Sequence, residues 1–335
     1  MKTGHQRCTA SSLFAAAVVA LAALAAAAGC GARPPGLHTS AAGGEGFPVR
    51  LRDALGVEVT IGARPERIVS AAPTVTEILF ALGAGDRVVA VTEQCNYPTE
   101  VEGLPKIGGY WTPSAEKTLG ARPDLAIGSR GNPREFLAAV RKSGCPVFTV
   151  DPKTLDGIFF AIEQTARVIG APGAGEELIA RMRMRLAAVA ERVADVPEEE
   201  PWPGGRPTAF IVLEVSTLYT AGSGTFQDDA IRAAGGRNVA ADKKGFAPFS
   251  TESLMAADPD FLLLSTMDGD SERMKREVEA SVALRGLSAV REGRMVVLAA
   301  DPIMRPGPRI VEGVEAMAGA FYAGRSGAEG GTGRE

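Results

Sequence analysis

From Arg67 onward, apolar and polar positions alternate between two periods. Ile68-Val69-Ser70 opens a β-branched strand. Thr74 to Leu82 reads as a helix, with Thr74 as N-cap, Glu77 at the third helical position, Ile78, Leu79 and Leu82 on one face, and Gly83 as the stop. Arg87–Thr92 reads as a strand and Ala115–Ala121 as a short helix ended by Pro123. Leu125–Ile127 follows as a strand, Pro133–Ser143 as a helix and Val147–Val150 as a strand. This alternation predicts α/β layers around a parallel sheet. The rhythm then breaks. Glu176 to Val196 is one long amphipathic helix, with Leu178, Ile179, Met182, Leu186, Val189 and Val193 as its apolar stripe. Counted from Gly173 it spans about 36 Å at 1.5 Å per residue. Glu198 to Gly205 is a polar, breaker-rich link, and strand-helix alternation restarts at Ala209–Val215.

An internal repeat ties the two halves together. Glu116, Leu119, Ala121, Pro123, Asp124 and Leu125 are matched by Glu252, Met255, Ala257, Pro259, Asp260 and Phe261, at a constant offset of 136. Each copy reads as a helix, a proline break and a strand. The expected fold class is α/β: two Rossmann-like lobes with central parallel-type sheets, joined by one long connecting helix, with a ligand cleft between them.

The ends of the chain follow other rules. Residues 1–29 hold Lys2 and Arg7 but no Asp or Glu, and Leu13 to Ala28 is an apolar run of about 16 residues. A basic start, an apolar core and small residues before a cut are the logic of a secretory signal. Cys30 directly after Ala27-Ala28-Gly29 resembles a bacterial lipobox, with Ala27 where Leu is usual, which implies lipidation at Cys30. The expected organisation is a lipoprotein signal peptide over 1–29, a flexible tether over 30–47 and an N-terminal lobe over 48–165. The connecting helix and link occupy 166–206, the C-terminal lobe 207–324 and a disordered tail 325–335.

Composition narrows the chemistry. The chain has 335 residues, enough for about two domains, 45% apolar and 23% charged residues. Its net charge of −4 becomes −6 once the two basic residues of the signal are removed, so nucleic acid is not an expected partner. The histidines are His5 and His38 alone, outside both lobes, which leaves no His-built metal site in the core. Beyond Cys30, two cysteines remain: Cys95 follows one strand and Cys145 precedes another. In a parallel sheet those are opposite ends, too far to bridge, so two buried thiols are expected. No nucleophile elbow surrounds Ser223, no Walker motif occurs, and Gly83-Ala84-Gly85 follows a helix rather than a strand. An enzyme is therefore not expected.

The stretch Arg67 to Gly83 resembles the opening of class III ABC-transporter substrate-binding proteins. Cys95-Asn96-Tyr97-Pro98, Leu104 to Tyr110, Pro123 to Ile127, Leu218 to Gly222 and Gly235 to Asn238 continue the resemblance, from about residue 48 to 323. The Cys-Asn-Tyr-Pro turn and the Gly-Gly-Tyr-Trp loop are most similar to those of the vitamin B12 (cobalamin) binders. The resemblance implies two α/β lobes bridged by one helix and no catalysis. It implies a monomer, held at the periplasmic or extracytoplasmic face by its lipid anchor, that passes a small molecule to the permease subunits and ATPase of an ABC importer.

A corrinoid is a large, flat ring with amide arms that supplies its own metal ligation, so no protein cofactor or metal ligand is expected. Binding calls for aromatic faces and a few polar groups. The resemblance places Tyr97, Tyr110, Tyr219 and Phe246 at ring-contacting positions. Trp111 falls in the same Gly-rich loop as Tyr110. Tyr110 and Phe246 stand where the best-matching members often carry Trp, and Ser129 where some do. Arg305 matches a cleft-facing Arg, with a pair to Asp301 as the alternative; Arg130 and Arg309 are further cations in the same loops. Glu116 and Glu252 each open a short helix, where a carboxylate suits the dipole. The resemblance makes them one docking acid per lobe, meeting arginines of the permease. Haem and ferric-siderophore binders share the framework and remain alternatives. For haem, Tyr110 lies one position from the Tyr of typical binders.

Overall fold

The computed structural model describes residues 46–194, 202, 205–266 and 270–323. The signal, Cys30 and most of the tether, much of the link and the tail lie outside the described residues.

The N-terminal lobe begins with an antiparallel hairpin, β1 (Val49–Arg52) and β2 (Glu58–Ile61). Next come β3 (Ile68–Ser70), α1 (Pro73–Ala81), β4 (Val88–Val91), the two-residue strands β5 (Gly108–Gly109) and β6 (Thr112–Pro113), α2 (Ala115–Gly120), β7 (Leu125–Ser129), α3 (Arg134–Lys142) and β8 (Val147–Val150). Strands β4-β3-β7-β8 form one parallel sheet in that order. Its strands read as continuous apolar runs because both faces are covered: Ile68, Val69, Leu125 and Ile127 are all fully buried.

Helix α1 differs from its sequence reading in one respect. Pro73, not Thr74, opens it; the N-cap is Ala72, and no side chain caps the end. Proline suits a first helical position, where its missing N–H has no intrahelical partner to lose. Glu77 is thereby released from the capping role the Thr-x-x-Glu spacing suggests. It is buried on the lobe's cleft side.

Helix α4 (Leu155–Val168) has no counterpart in the sequence reading, and the boundary expected at 165/166 falls inside it. Thr154 caps it, accepting from the N–H of Gly157 at 3.0 Å. The long helix α5 (Pro172–Ala194) runs 23 residues, about 35 Å, and starts four residues before the expected Glu176. Leu178, Met182 and Val189 are buried, and Ile179, Leu186 and Val193 are half-buried, so the apolar stripe lies where the spacing placed it. Gly175 permits its close approach to α4: a Cβ there would lie 2.6 Å from that of Ala166.

The C-terminal lobe repeats the plan with β9 (Thr208–Val212), β10 (Tyr219–Ala221), α6 (Phe226–Ala233), β11 (Arg237–Asn238), β12 (Phe246–Pro248), α7 (Thr251–Ala257), β13 (Phe261–Leu264), α8 (Ser271–Ala280), α9 (Ser288–Arg291) and β14 (Met295–Val297). Two helices close the lobe, α10 (Ala300–Met304) and α11 (Ile310–Phe321). Strands β11-β9-β13-β14 form the second parallel sheet, while β10 and β12 pair as a separate antiparallel ribbon.

The repeat has a structural meaning. After α2 and α7 the chain turns through positive φ at Arg122 (50°) and Asp258 (36°), positions 136 apart. Asp124 then accepts from the N–H groups of Glu66 and Arg67, just before β3. Asp260 accepts from the N–H and hydroxyl of Thr208, the first residue of β9. In each lobe the same aspartate fixes the start of the central strand.

Cys95 and Cys145 are both buried free thiols. Cys95 lies 3.1 Å from the hydroxyls of Thr76 and Thr92, and burial pushes the Cys145 thiol up to about 11.

Candidate ligand-binding cleft

A cavity of about 580 Å³ opens at the carboxyl ends of the N-lobe strands and is closed on its far side by the C-lobe segment Ala300–Pro306. Ala72–Thr74 after β3, Gln94 after β4, Ser129–Gly131 after β7 and Val150–Pro152 after β8 form its floor. Exits of parallel strands are where open α/β sheets place ligands.

The aromatic wall is Tyr110 and Trp111, at the tip of the β5-β6 hairpin. Gly108 makes that tip possible: its φ is +108°, and a Cβ there would lie 2.8 Å from the carbonyl oxygen of Thr112. The two rings meet edge to face, with centroids 5.0 Å apart. Trp111 remains 57% exposed at the mouth. Tyr110 is held by every polar group it owns. Its N–H donates to Gln94 Oε1 at 2.6 Å, its carbonyl accepts from Asn132 Nδ2 at 3.0 Å, and its hydroxyl lies 2.7 Å from Ser129 Oγ.

The polar edge of the cavity is an ion cluster that crosses the lobes. Arg305, in the turn after α10, donates through Nη1 to Glu77 at 3.1 Å and to Asn96 Oδ1 at 2.6 Å. Its Nη2 donates to the carbonyl of Gln94 at 3.1 Å and pairs with Asp301 at 2.9 Å. Arg309 lies 3.8 Å from Glu77 and 3.6 Å from Asp301, and its guanidinium covers the Tyr97 ring at 4.0 Å. Burial pushes the Glu77 carboxyl up to about 7, against the pull of Arg305 and Arg309. On the opposite rim Arg130 lies 3.7 Å from Asp151, which also pairs with Lys153 at 3.3 Å. Both cations that line the cavity, Arg130 and Arg305, therefore already face carboxylates.

Of the residues singled out from sequence, Tyr110, Trp111, Ser129, Arg130 and Arg305 line this cavity. Tyr97 stands outside its lining, 42% exposed under Arg309. Tyr219 and Phe246 sit together on the β10-β12 ribbon of the C lobe, where the Tyr219 hydroxyl donates to the Phe246 carbonyl at 3.4 Å. Both are exposed and neither lines the cavity. Arg305 takes the paired alternative as well as the cleft position, so its Nη groups are committed to protein acceptors. Glu116 and Glu252 are exposed at equivalent second positions of α2 and α7, behind Ser114 and Ser250, whose hydroxyls cap the two helices alike. Glu77, Gln94 and Asn132 were missed. Gln94 and Asn132 lie beside quoted motifs, but only folding joins them to Tyr110.

Residues 68–302 match the family described as Periplasmic binding protein. The chain belongs to the periplasmic binding protein family. Its relatives agree in architecture and differ in cargo. It is similar to an uncharacterised ABC transporter substrate-binding lipoprotein, YvrC, of Bacillus subtilis, at 30% identity over 83% of this chain and 87% of that one. It is similar in structure to the periplasmic haem-binding protein RhuT of Roseiflexus sp. RS-1, in its apo form. There the TM-score is 0.67 at 33% identity, covering 77% of this chain and 98% of that chain. The periplasmic vitamin B12-binding protein BtuF of Vibrio cholerae gives a TM-score of 0.63 at 30% identity, covering 77% and 96%. The two-lobed α/β architecture with parallel sheets is thus that of this family of binding proteins, which serve ABC transporters by delivering ligand to the permease.

Proposed function

We propose that this chain is the substrate-binding lipoprotein of an ABC importer that captures cobalamin or a related corrinoid and hands it to the permease. The observation that carries this reading is the charge state of the cavity wall. Tyr110 and Trp111 offer a flat ring an apolar face, while Arg130 and Arg305 are already matched by Asp151, Glu77 and Asp301. A wall of neutralised pairs and amides suits a ligand with many neutral amide arms better than one with free carboxylates or a trianionic chelate. Tyr219 and Phe246 stay exposed on the C lobe, outside the cavity lining, as aromatic surface open to a ring that extends beyond the cavity. The ligand brings its own metal ligation, so no resident cofactor is needed. Similarity to the Vibrio B12-binding protein supports the same cargo.

Cys30 carries the lipid anchor in this reading, in keeping with the lipoprotein name of the Bacillus relative. Glu116 and Glu252, one per lobe at matched helix starts, dock on permease arginines.

Haem is the second reading, favoured by the likeness to the Roseiflexus protein. Calorimetric titration of the mature protein with cobalamin, cobinamide, haemin and a ferric siderophore separates them. Saturable binding of a corrinoid at one per chain is expected. Heat with haemin or the siderophore, and none with either corrinoid, would overturn the proposal.

A further inference from the structure

We infer that Ser129 and Gly131 decide which class of flat metal macrocycle the cleft accepts, by keeping the Tyr110 phenol from acting as a metal ligand. This rests on the cleft being the binding site for such a ring. It goes beyond that reading by assigning the selectivity to a lock in the floor of the N lobe.

The geometry is specific. The Tyr110 hydroxyl lies 2.7 Å from Ser129 Oγ, and Ser129 Oγ also accepts from the N–H of Gly131 at 3.3 Å. The phenol end rests directly on Gly131: a Cβ there would lie 2.0 Å from Tyr110 Oη and 3.0 Å from its Cζ. The Gly131 φ lies outside the left-handed region, so packing, not backbone conformation, calls for glycine here. Ser129 is itself fixed, its N–H donating to Asn132 Oδ1 at 2.8 Å. Tyr110 therefore offers the cavity its ring while its oxygen is turned to the floor.

A ring whose metal lacks an axial ligand needs one from the protein. The chain has no histidine beyond residue 38. The buried Cys95 thiol faces Thr76 and Thr92. Among the cavity-lining residues, the carboxylates of Asp151 and Asp301 are engaged in ion pairs with arginines, which leaves a phenol (Tyr110) and a thioether (Met304). Ferric iron is a hard centre, for which a phenolate is the better match. Coordination would form an Fe–Oη bond, displace the water or hydroxide on ferric haem, release the phenol proton to solvent and break the contact with Ser129. The ring would have to leave its seat on Gly131. A cobalt corrinoid asks for none of this. The lock thus costs a corrinoid nothing and costs haem its axial bond.

The test is Ser129→Ala, which removes the hydroxyl and leaves the fold's buried groups in place. Wild type, Ser129→Ala, Tyr110→Phe and the double variant Ser129→Ala with Tyr110→Phe are each titrated with haemin and with cobinamide, and followed by visible spectra. Wild type should give haemin a spectrum without the phenolate-to-iron charge-transfer band. Ser129→Ala should gain that band and bind haemin about tenfold more tightly, the effect of one hydrogen bond no longer competing. The double variant should lose both gains, and Ser129→Ala should give cobinamide no tenfold gain to match that of haemin. A charge-transfer band in wild type that Tyr110→Phe abolishes would overturn the lock. So would a Ser129→Ala protein, folded by circular dichroism, with no change toward haemin, or a spectrum of thioether ligation that survives the double variant. If cobinamide binds none of the four proteins while haemin shows the expected switch, the corrinoid reading fails and the lock stands.

Discussion

Arg305 Nη1 lies 3.1 Å from Glu77 Oε1, and this ion pair joins the turn after α10 in one lobe to helix α1 in the other. The pair is 228 residues apart in sequence and almost closed to water. It sets the distance between the lobes at the edge of the cavity, and through the Gln94 carbonyl it touches the residue whose side chain holds Tyr110. The interlobe pair and the aromatic wall thus share one residue, Gln94.

The Glu77 carboxyl should give the fold a measurable pH dependence. Its folded pKa of about 7 lies above the ordinary carboxylate range, because burial disfavours the charged form. A raised pKa contributes stability that is fully present below the unfolded value and is lost as pH rises through the folded one. The window runs from about pH 4.5 to 7, with a span of roughly 3 kcal/mol. Urea denaturation of wild type and Glu77→Gln across this window checks it. The stability of wild type relative to Glu77→Gln should fall as pH rises; a constant difference contradicts the assignment.

Removing the other partner should be costly at every pH where Glu77 is charged. Arg305→Ala leaves that carboxylate buried with only the more distant Arg309 facing it. A loss of roughly 3 kcal/mol in denaturant stability is expected near pH 8, with weaker ligand binding. Arg305→Lys should recover only part of it, because one ammonium cannot replace a planar fork that meets Glu77, Asn96, Gln94 and Asp301 together.

Docking should separate cleanly from capture. Glu116 and Glu252 stand outside the cavity lining and are exposed on equivalent helix starts. Changing both to Ala should abolish uptake in cells while leaving the dissociation constant within about twofold. A fall in affinity would show that these acids serve the cleft rather than the permease.

Much of this was legible in the sequence because burial writes itself as pattern. The β7, β8 and β13 strands are fully or almost fully buried and appear as unbroken apolar runs. The α5 stripe keeps its helical spacing. The repeat was visible because Asp124 and Asp260 perform the same local task in each lobe. What stayed hidden depends on partners distant in sequence or on broken patterns. Phe160, 60% exposed on α4 between the buried Phe159 and Ala161, blurs that helix's apolar face. The spacing around Glu77 satisfies a capping box, but the N-cap falls two residues earlier, at Ala72, and Arg305 claims the carboxylate. Nothing local distinguishes the two outcomes. Tyr110 was found as an aromatic, but not that Ser129, Gln94 and Asn132 fix it, since those contacts span 16 to 22 residues.

The central claim, corrinoid capture against Tyr110 and Trp111, is tested most directly by the fluorescence of Trp111. The chain has two tryptophans, and Trp202 packs on Phe261 outside the cavity lining. In a Trp202→Phe protein, Trp111 is the sole indole and lies at the cavity mouth. Titration with cobinamide and with cobalamin should quench it saturably, with an endpoint at one ligand per chain. Fluorescence unchanged by either corrinoid, in a protein whose emission haemin or a ferric siderophore quenches, would contradict the account.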